Sequence, residues 1–158
     1  MKMGDEVTVH MDATPAEVWA LVSDVTQIGR YSPETFEAEW LDGATGPAVG
    51  ATFRGHVKRN QKGPIYWSKC FVTVCEPGEE FTFGVGAPGK AMITWGYRLK
   101  PGAEGGTDVT EFFELTPKIW TRIYWALLGW SRGKTNRNGM RTTLERIKAV
   151  VEANSSST

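Results

Sequence analysis

Met140-Arg141-Thr142-Thr143-Leu144-Glu145-Arg146-Ile147-Lys148-Ala149-Val150-Val151 carries the most regular apolar pattern in the chain. Met140, Leu144, Ile147 and Val151 recur at spacings of four, three and four, which places them on one stripe of an α-helix. Arg141 with Glu145, and Lys148 with Glu152, lie four residues apart on the solvent side, where opposite charges support a helix. A long helix therefore closes the chain, and its apolar stripe needs a surface to cover.

That surface is built upstream. Residues 36–41, 51–59, 66–75, 80–86, 92–100 and 107–115 read as strands, because short apolar and β-branched runs alternate with turn signals. The turns fall at 42–50, 60–64, Pro77-Gly78, Ala87-Pro88-Gly89 and Pro101-Gly102. No helix lies between these strands, so they pair as an antiparallel meander; parallel pairing would need crossovers. An earlier strand is marked by Val7, Val9 and Met11 alternating with Thr8 and His10. Thr14-Pro15-Ala16-Glu17 then offers an N-cap, a proline at the first helical position and a capping-box glutamate. The helix it starts carries Val18, Trp19 and Val22 on one side and stops near Asp24. A second short helical piece runs to Tyr31, before Ser32-Pro33. The expected class is α+β: strand, helices, six strands, long helix. One helix cannot fill the concave side of a sheet of six to seven twisted strands, so the sheet curls around it and an apolar cavity is left between them.

The 158 residues suit one domain, 1–153, followed by a Ser-rich, frayed tail at 154–158. A chain of this size buries about 70% of its extended surface, enough for a core without metals or disulfides. Lys and Arg total 18, as do Asp and Glu, giving zero net charge with no basic run or stripe, so nucleic acid is not expected as a partner. Cys70 and Cys75 lie five apart in one strand, on opposite faces and about 16 Å apart at strand rise, too far to bridge. Unpaired thiols fit a reducing cytoplasm. The polar start, residues 1–6, lacks the apolar core of a signal peptide. No apolar run approaches the roughly 20 residues of a membrane span. Seven tryptophans stand out, suited to core or to a cavity wall.

The order of segments resembles the START-like, or helix-grip, superfamily, which includes the birch-pollen-allergen fold and the polyketide cyclase/dehydrase and lipid-transport proteins. The matching pieces begin with Ala13-Thr14-Pro15-Ala16-Glu17-Val18-Trp19 after the first strand, and Asp24 at the helix end. Gly50-Ala51-Thr52-Phe53-Arg54-Gly55, Trp67, Glu76-Pro77-Gly78 and Trp95-Gly96-Tyr97 continue it. Gly106-Thr107-Asp108-Val109-Thr110 and Gly139-Met140-Arg141-Thr142-Thr143-Leu144 complete it. The resemblance spans nearly the whole chain and is specific for fold. It is not specific for function, since this fold hosts carriers, receptors, cyclases and hydrolases. No catalytic motif is common to the group, so no catalytic residue carries over.

Candidate site residues follow from strand parity. Val109, Glu111, Phe113 and Leu115 share the more apolar face of their strand, which should face the cavity. A carboxylate there is desolvated and its pKa raised, so Glu111 is the candidate acid or base, or the anchor for a ligand hydroxyl. The alternatives are a rim position or a pairing with arginine. Cavity walls are expected from Phe53, Val57, Phe81, Phe83, Trp95, Tyr97, Phe113, Met140 and Leu144. Arg132 and Asn136 lie eight and four residues before Met140 and continue its stripe as ligand contacts if the helix reaches back that far; otherwise they are loop residues. Gly84-Val85-Gly86-Ala87-Pro88-Gly89-Lys90-Ala91 nearly spells a phosphate-binding loop, but Ala91 stands where Ser or Thr would ligate magnesium, and Met92-Ile93-Thr94-Trp95 reads as strand rather than helix. A hairpin turn is the better reading.

His10 and His56, the two histidines, alternate with apolar residues and should face solvent. No metal cluster, Gly-x-Ser-x-Gly elbow or Cys–His pair is evident, so catalysis by a standard nucleophile triad is disfavoured; no metal and no cofactor are expected. Residues 119–130 carry more apolar surface than one side of a helix can bury, with Gly129 and Gly133 as possible hinges. Packed core, a mobile lid, a dimer contact and a transient membrane contact all stay open, as do monomer and homodimer. Three functions fit: binding of a small hydrophobic ligand, lipid or polyketide-like; an aromatase/cyclase or dehydratase using Glu111 with Tyr97 or Arg132; or a protein-interaction or toxin-like module acting through 119–130.

Overall fold

The computed structural model describes residues 3–58 and 63–156. Its first helix forms where the capping signal sits. The Glu17 amide donates to Thr14 Oγ1 at 3.2 Å, and the Thr14 amide donates to Glu17 Oε2 at 2.9 Å, so two otherwise orphaned amides are satisfied reciprocally. This opens α1, Pro15–Val22, which buries Val18, Leu21 and Val22. Asp24 caps a 3-10 helix, Val25–Arg30, by accepting from the Thr26 amide at 3.1 Å.

Seven strands make one antiparallel sheet: β1 Gly4–Met11, β2 Thr35–Leu41, β3 Thr52–Lys58, β4 Ile65–Glu76, β5 Glu80–Val85, β6 Ile93–Pro101 and β7 Thr107–Leu115. Their order is β1-β7-β6-β5-β4-β3-β2. The meander from β2 to β7 is the expected one, and β1 returns to pair with β7, Val9 opposite Val109 and Val7 opposite Glu111. The segment resembling a phosphate loop is the β5–β6 hairpin turn, with Gly86 and Gly89 at φ of 118° and 75°. The turn expected at 60–64 lies partly outside the described residues.

A bulge in β4 corrects one expectation. Val72 pairs with Phe83 but Val74 pairs with Thr82, so Thr73 is the extra residue. Parity flips there. Cys70 stands opposite Val85 and Cys75 opposite Phe81, so both thiols point to the concave face rather than to opposite faces. Both are free.

On the convex side, two aromatic rings each lie over a glycine directly across the ladder. Phe112 faces Gly96, and Phe71 faces Gly84. A Cβ at Gly96 would sit 2.6 Å from the Phe112 ring, and one at Gly84 2.7 Å from that of Phe71. Arg98 covers Phe112 from outside, 3.9 Å from the ring centre. His10 is half-exposed and bonded to Asp108 at 2.7 Å. His56 is more covered than expected, stacked on Trp67 at 4.1 Å with Phe36 at 4.4 Å.

α2, Ile119–Ser156, is one unbroken helix. Met140, Leu144, Ile147 and Val151 are fully buried, as the stripe predicts, and pack with Met11, Val18, Val22 and Val109 into the core. Of the two expected charge pairs, Lys148–Glu152 closes at 3.3 Å, while Arg141 and Glu145 form no ion pair among the described residues. The far end of the helix is tied down: Ser155 Oγ donates to Glu17 Oε2 at 2.8 Å. Residues 154–156, expected to fray, are thus helical. Gly129 and Gly133 do not break the helix. The missing side chain of Gly129 leaves room for the Trp125 indole, which lies 2.8 Å from where its Cβ would be.

Candidate functional site

Between the middle of α2 and the concave face of β3–β6 lies a cavity of about 350 Å³. The 3-10 helix and the start of β2 close a third side through Ile28, Ser32 and Thr35. Aromatic and aliphatic side chains make up most of its wall, and a substantial minority is polar, with Glu34, Glu111, Asn136 and several Ser and Thr, the composition of a site for a small, largely apolar molecule with polar groups.

Glu111 is the polar group that stands out. It is 7% exposed and sits in register with Tyr97 on β6. The Tyr97 hydroxyl donates to Glu111 Oε1 at 3.4 Å. Oε2 has no hydrogen-bond partner among the described residues. Burial pushes the Glu111 carboxyl well above its ordinary range, and the Tyr97 hydrogen bond opposes that only in part. No arginine among the described residues pairs with it: one oxygen meets Tyr97 and the other has no partner there. The hydroxyls of Tyr97 and the fully buried Tyr31 are also raised, first by burial and then by the charge of Glu111. Burial thus shifts Glu111 towards its protonated, neutral form beside two phenols shifted the same way. Such a group can donate a hydrogen bond, or a proton, to an oxygen placed in the cavity. Cys70 also lines the wall, but burial pushes its thiol up to about 12, so it is no nucleophile. Among the described residues no group of His, Cys, Asp and Glu could hold a metal.

Residues 6–152 match the family described as polyketide cyclase / dehydrase and lipid transport. The chain belongs to that family. Among solved structures, it is similar to the polyketide-cyclase-like protein Cgl2372 of Corynebacterium glutamicum, at 29% identity and a TM-score of 0.64 over 98% of this chain and 94% of that one. It also shares its fold with SA2116 of Staphylococcus aureus, a protein of unknown function, at 12% identity and a TM-score of 0.71 over 97% and 95%. NE0264 of Nitrosomonas europaea adds 10% identity and 0.67 over 97% and 96%. No curated protein matches the chain.

Of the wall residues expected from sequence, Phe53, Val57, Phe83, Trp95, Tyr97, Asn136 and Met140 line this family member's cavity together with Glu111. Three point inward but are sealed from it by neighbours. Phe81 meets Trp19 edge-on at 6.2 Å. Phe113 sits between Trp95 at 5.1 Å and Trp125 at 6.1 Å. Leu144 is wholly inside the core. Arg132 does not reach the cavity: it runs along α2 and donates to the Tyr124 hydroxyl at 2.9 Å. Ser68, Cys70, Thr135, Gly139 and Thr143 line the cavity and were not expected. Alternation before the bulge in β4 would have found Ser68 and Cys70. Positions 136, 139, 140 and 143 continue the helical stripe and would have found Gly139 and Thr143. Nothing in the sequence signals Ile28, Ser32 or Thr35, which tertiary packing brings to the site.

Proposed function

We propose that this protein binds a small, largely apolar molecule carrying an oxygen function, held between the sheet and α2 with that oxygen on Glu111. The observation that carries the reading is the buried Glu111 Oε2, unpartnered in an otherwise mostly apolar wall. A buried polar atom without a partner costs about 1–3 kcal/mol, and a ligand oxygen that accepts from the neutral acid recovers part of that cost. The family description supports the ligand class, which includes polyketide-like molecules and lipids.

A matched pair of probes tests it. 1-Naphthol and naphthalene share a ring system and differ by one hydroxyl. The wild type should bind 1-naphthol about tenfold tighter, the worth of one buried hydrogen bond. Glu111→Leu should erase the difference, and Glu111→Gln, whose amide still donates, should keep much of it. Ser68→Phe, which fills the cavity, should remove binding of both. Equal binding of the two probes by the wild type would sink the role of Glu111, and binding unaffected by Ser68→Phe would sink the cavity.

The same neutral acid supports a second reading, an aromatase/cyclase or dehydratase with Glu111 as general acid and Tyr97 as its helper. Here Glu111→Gln separates the two. A variant that binds a polyketide-like substrate but no longer turns it over favours catalysis; a wild type that binds without turnover favours carriage.

A further inference from the structure

The first half of α2 does not bury its apolar residues. Ile119, Trp120, Ile123, Leu127, Leu128 and Trp130 are exposed, Trp120 by 77% and Trp130 by 81%. At about 100° per residue they sweep roughly half the circumference of the helix. The opposite ridge of Thr121, Trp125 and Gly129 faces the protein: Thr121 and Gly129 are buried, and Trp125 packs on Phe113. The exposed half is therefore a continuous apolar face that no described residue covers.

The charges that this stretch of the helix carries have one sign. From Glu114 to Glu145 the chain carries Lys118, Arg122, Arg132, Lys134, Arg137 and Arg141, and no carboxylate between. Zero net charge over the whole chain hides this local surplus. Arg137 is neutralised by Asp5 at 2.7 Å, while Arg122 and Lys134 are exposed. A broad apolar face with exposed tryptophans and exposed cations is the composition of a helix that lies in a bilayer interface. Cations within a Debye length of an anionic leaflet add to the attraction. The helix is not long and apolar enough to cross a membrane. A second copy of this chain fits less well, because pairing these faces would bring the same cations together.

We propose that the 119–134 face of α2 docks this protein on an anionic lipid surface. One turn further on, Thr135, Asn136, Gly139 and Met140 line the cavity, so docking places the opening of the cavity beside the lipid; this last step rests on the cavity being a ligand site.

Vesicle co-sedimentation tests the docking. The wild type should bind phosphatidylcholine vesicles containing about 30% phosphatidylglycerol, and bind pure phosphatidylcholine at least roughly tenfold more weakly. Salt at about 0.5 M should weaken the binding. Trp120→Ser with Trp130→Ser should lose roughly tenfold or more, and Arg122→Gln with Lys134→Gln about fivefold per cation removed. All four side chains are exposed, so circular dichroism should show both double variants folded like the wild type. No binding to the anionic vesicles overturns the proposal, as does binding that both double variants retain in full. A chain that ignores vesicles but sediments as a dimer, and becomes a monomer in the double tryptophan variant, assigns the face to self-association instead. The ligand reading is read out separately: the tryptophan variant should keep 1-naphthol binding, and Ser68→Phe should lose it while still binding vesicles.

Discussion

Glu111 has no ion-pair partner among the described residues, and burial favours the form that keeps its proton. That has a consequence for stability. In the unfolded chain a glutamate titrates near 4.5, and in the fold its pKa is raised well above that. A raised carboxylate pKa means that the folded state binds the proton more tightly, so the associated stability is fully present below about 4.5 and lost as pH rises through the folded pKa. Denaturant midpoints measured across that window should fall for the wild type and stay flatter for Glu111→Gln, which has no proton to lose. Parallel curves would mean that the carboxyl is better solvated than its burial implies. This residue was legible because β7 has no irregularity: Val109, Glu111 and Phe113 alternate inward without a break. Arg132 was not. Its position on the stripe is right, but a long flexible side chain chooses its own partner, here Tyr124, and spacing alone fixes only where the stem begins.

At the scale of the element, the convex face of the sheet packs aromatic rings onto glycines directly across the ladder. At Gly96 a Cβ would meet Thr82 Oγ1 at 2.5 Å and the Phe112 ring at 2.6 Å, and Phe112 is held from outside by Arg98. Gly96→Ala should therefore destabilise by about 1–3 kcal/mol, the range for overpacking a filled site, seen as a lower midpoint in urea with an unchanged slope. A variant as stable as the wild type would show that Phe112 can swing aside at little cost. Elements themselves were readable wherever a local signal decides them. The capping box opens α1 where Thr14 and Glu17 predict, and the turn dipeptides bound the strands to within a residue or two. The β4 bulge was not readable. Val72, Thr73 and Val74 are all good strand formers, and the extra residue is set by the register with β5, a tertiary fact. That is why the relative facing of Cys70 and Cys75 came out wrong while each strand on either side of the bulge was correctly placed.

For the molecule as a whole, one helix serves two regions. From Met140 onward α2 fills the concave sheet and, at its far end, is fastened to α1 by the Ser155–Glu17 contact. Before Thr135 it touches the rest of the protein along a single narrow ridge. The cavity lies where these regions meet, because the sheet is wider than one helix can fill and small residues, Gly139 and Thr143, face the gap. That shortfall was legible from element counts alone, and the surplus of apolar surface over residues 119–130 from its spread around the helix, whereas the choice between packed core and open face was not, since it depends on what tertiary packing brings over it. Unequal anchoring also predicts unequal protection. Segments with little buried apolar contact open without global unfolding, so amides in 140–151 should exchange only with global unfolding, while those in 119–133 exchange faster by orders of magnitude. Peptide-resolved hydrogen exchange checks this. Uniform protection along α2 would mean that the Trp125 contact with Phe113 alone fixes the first half rigidly. Faster exchange there, slowed by anionic vesicles but not by 1-naphthol, would separate the docking half of the helix from the half that closes the core.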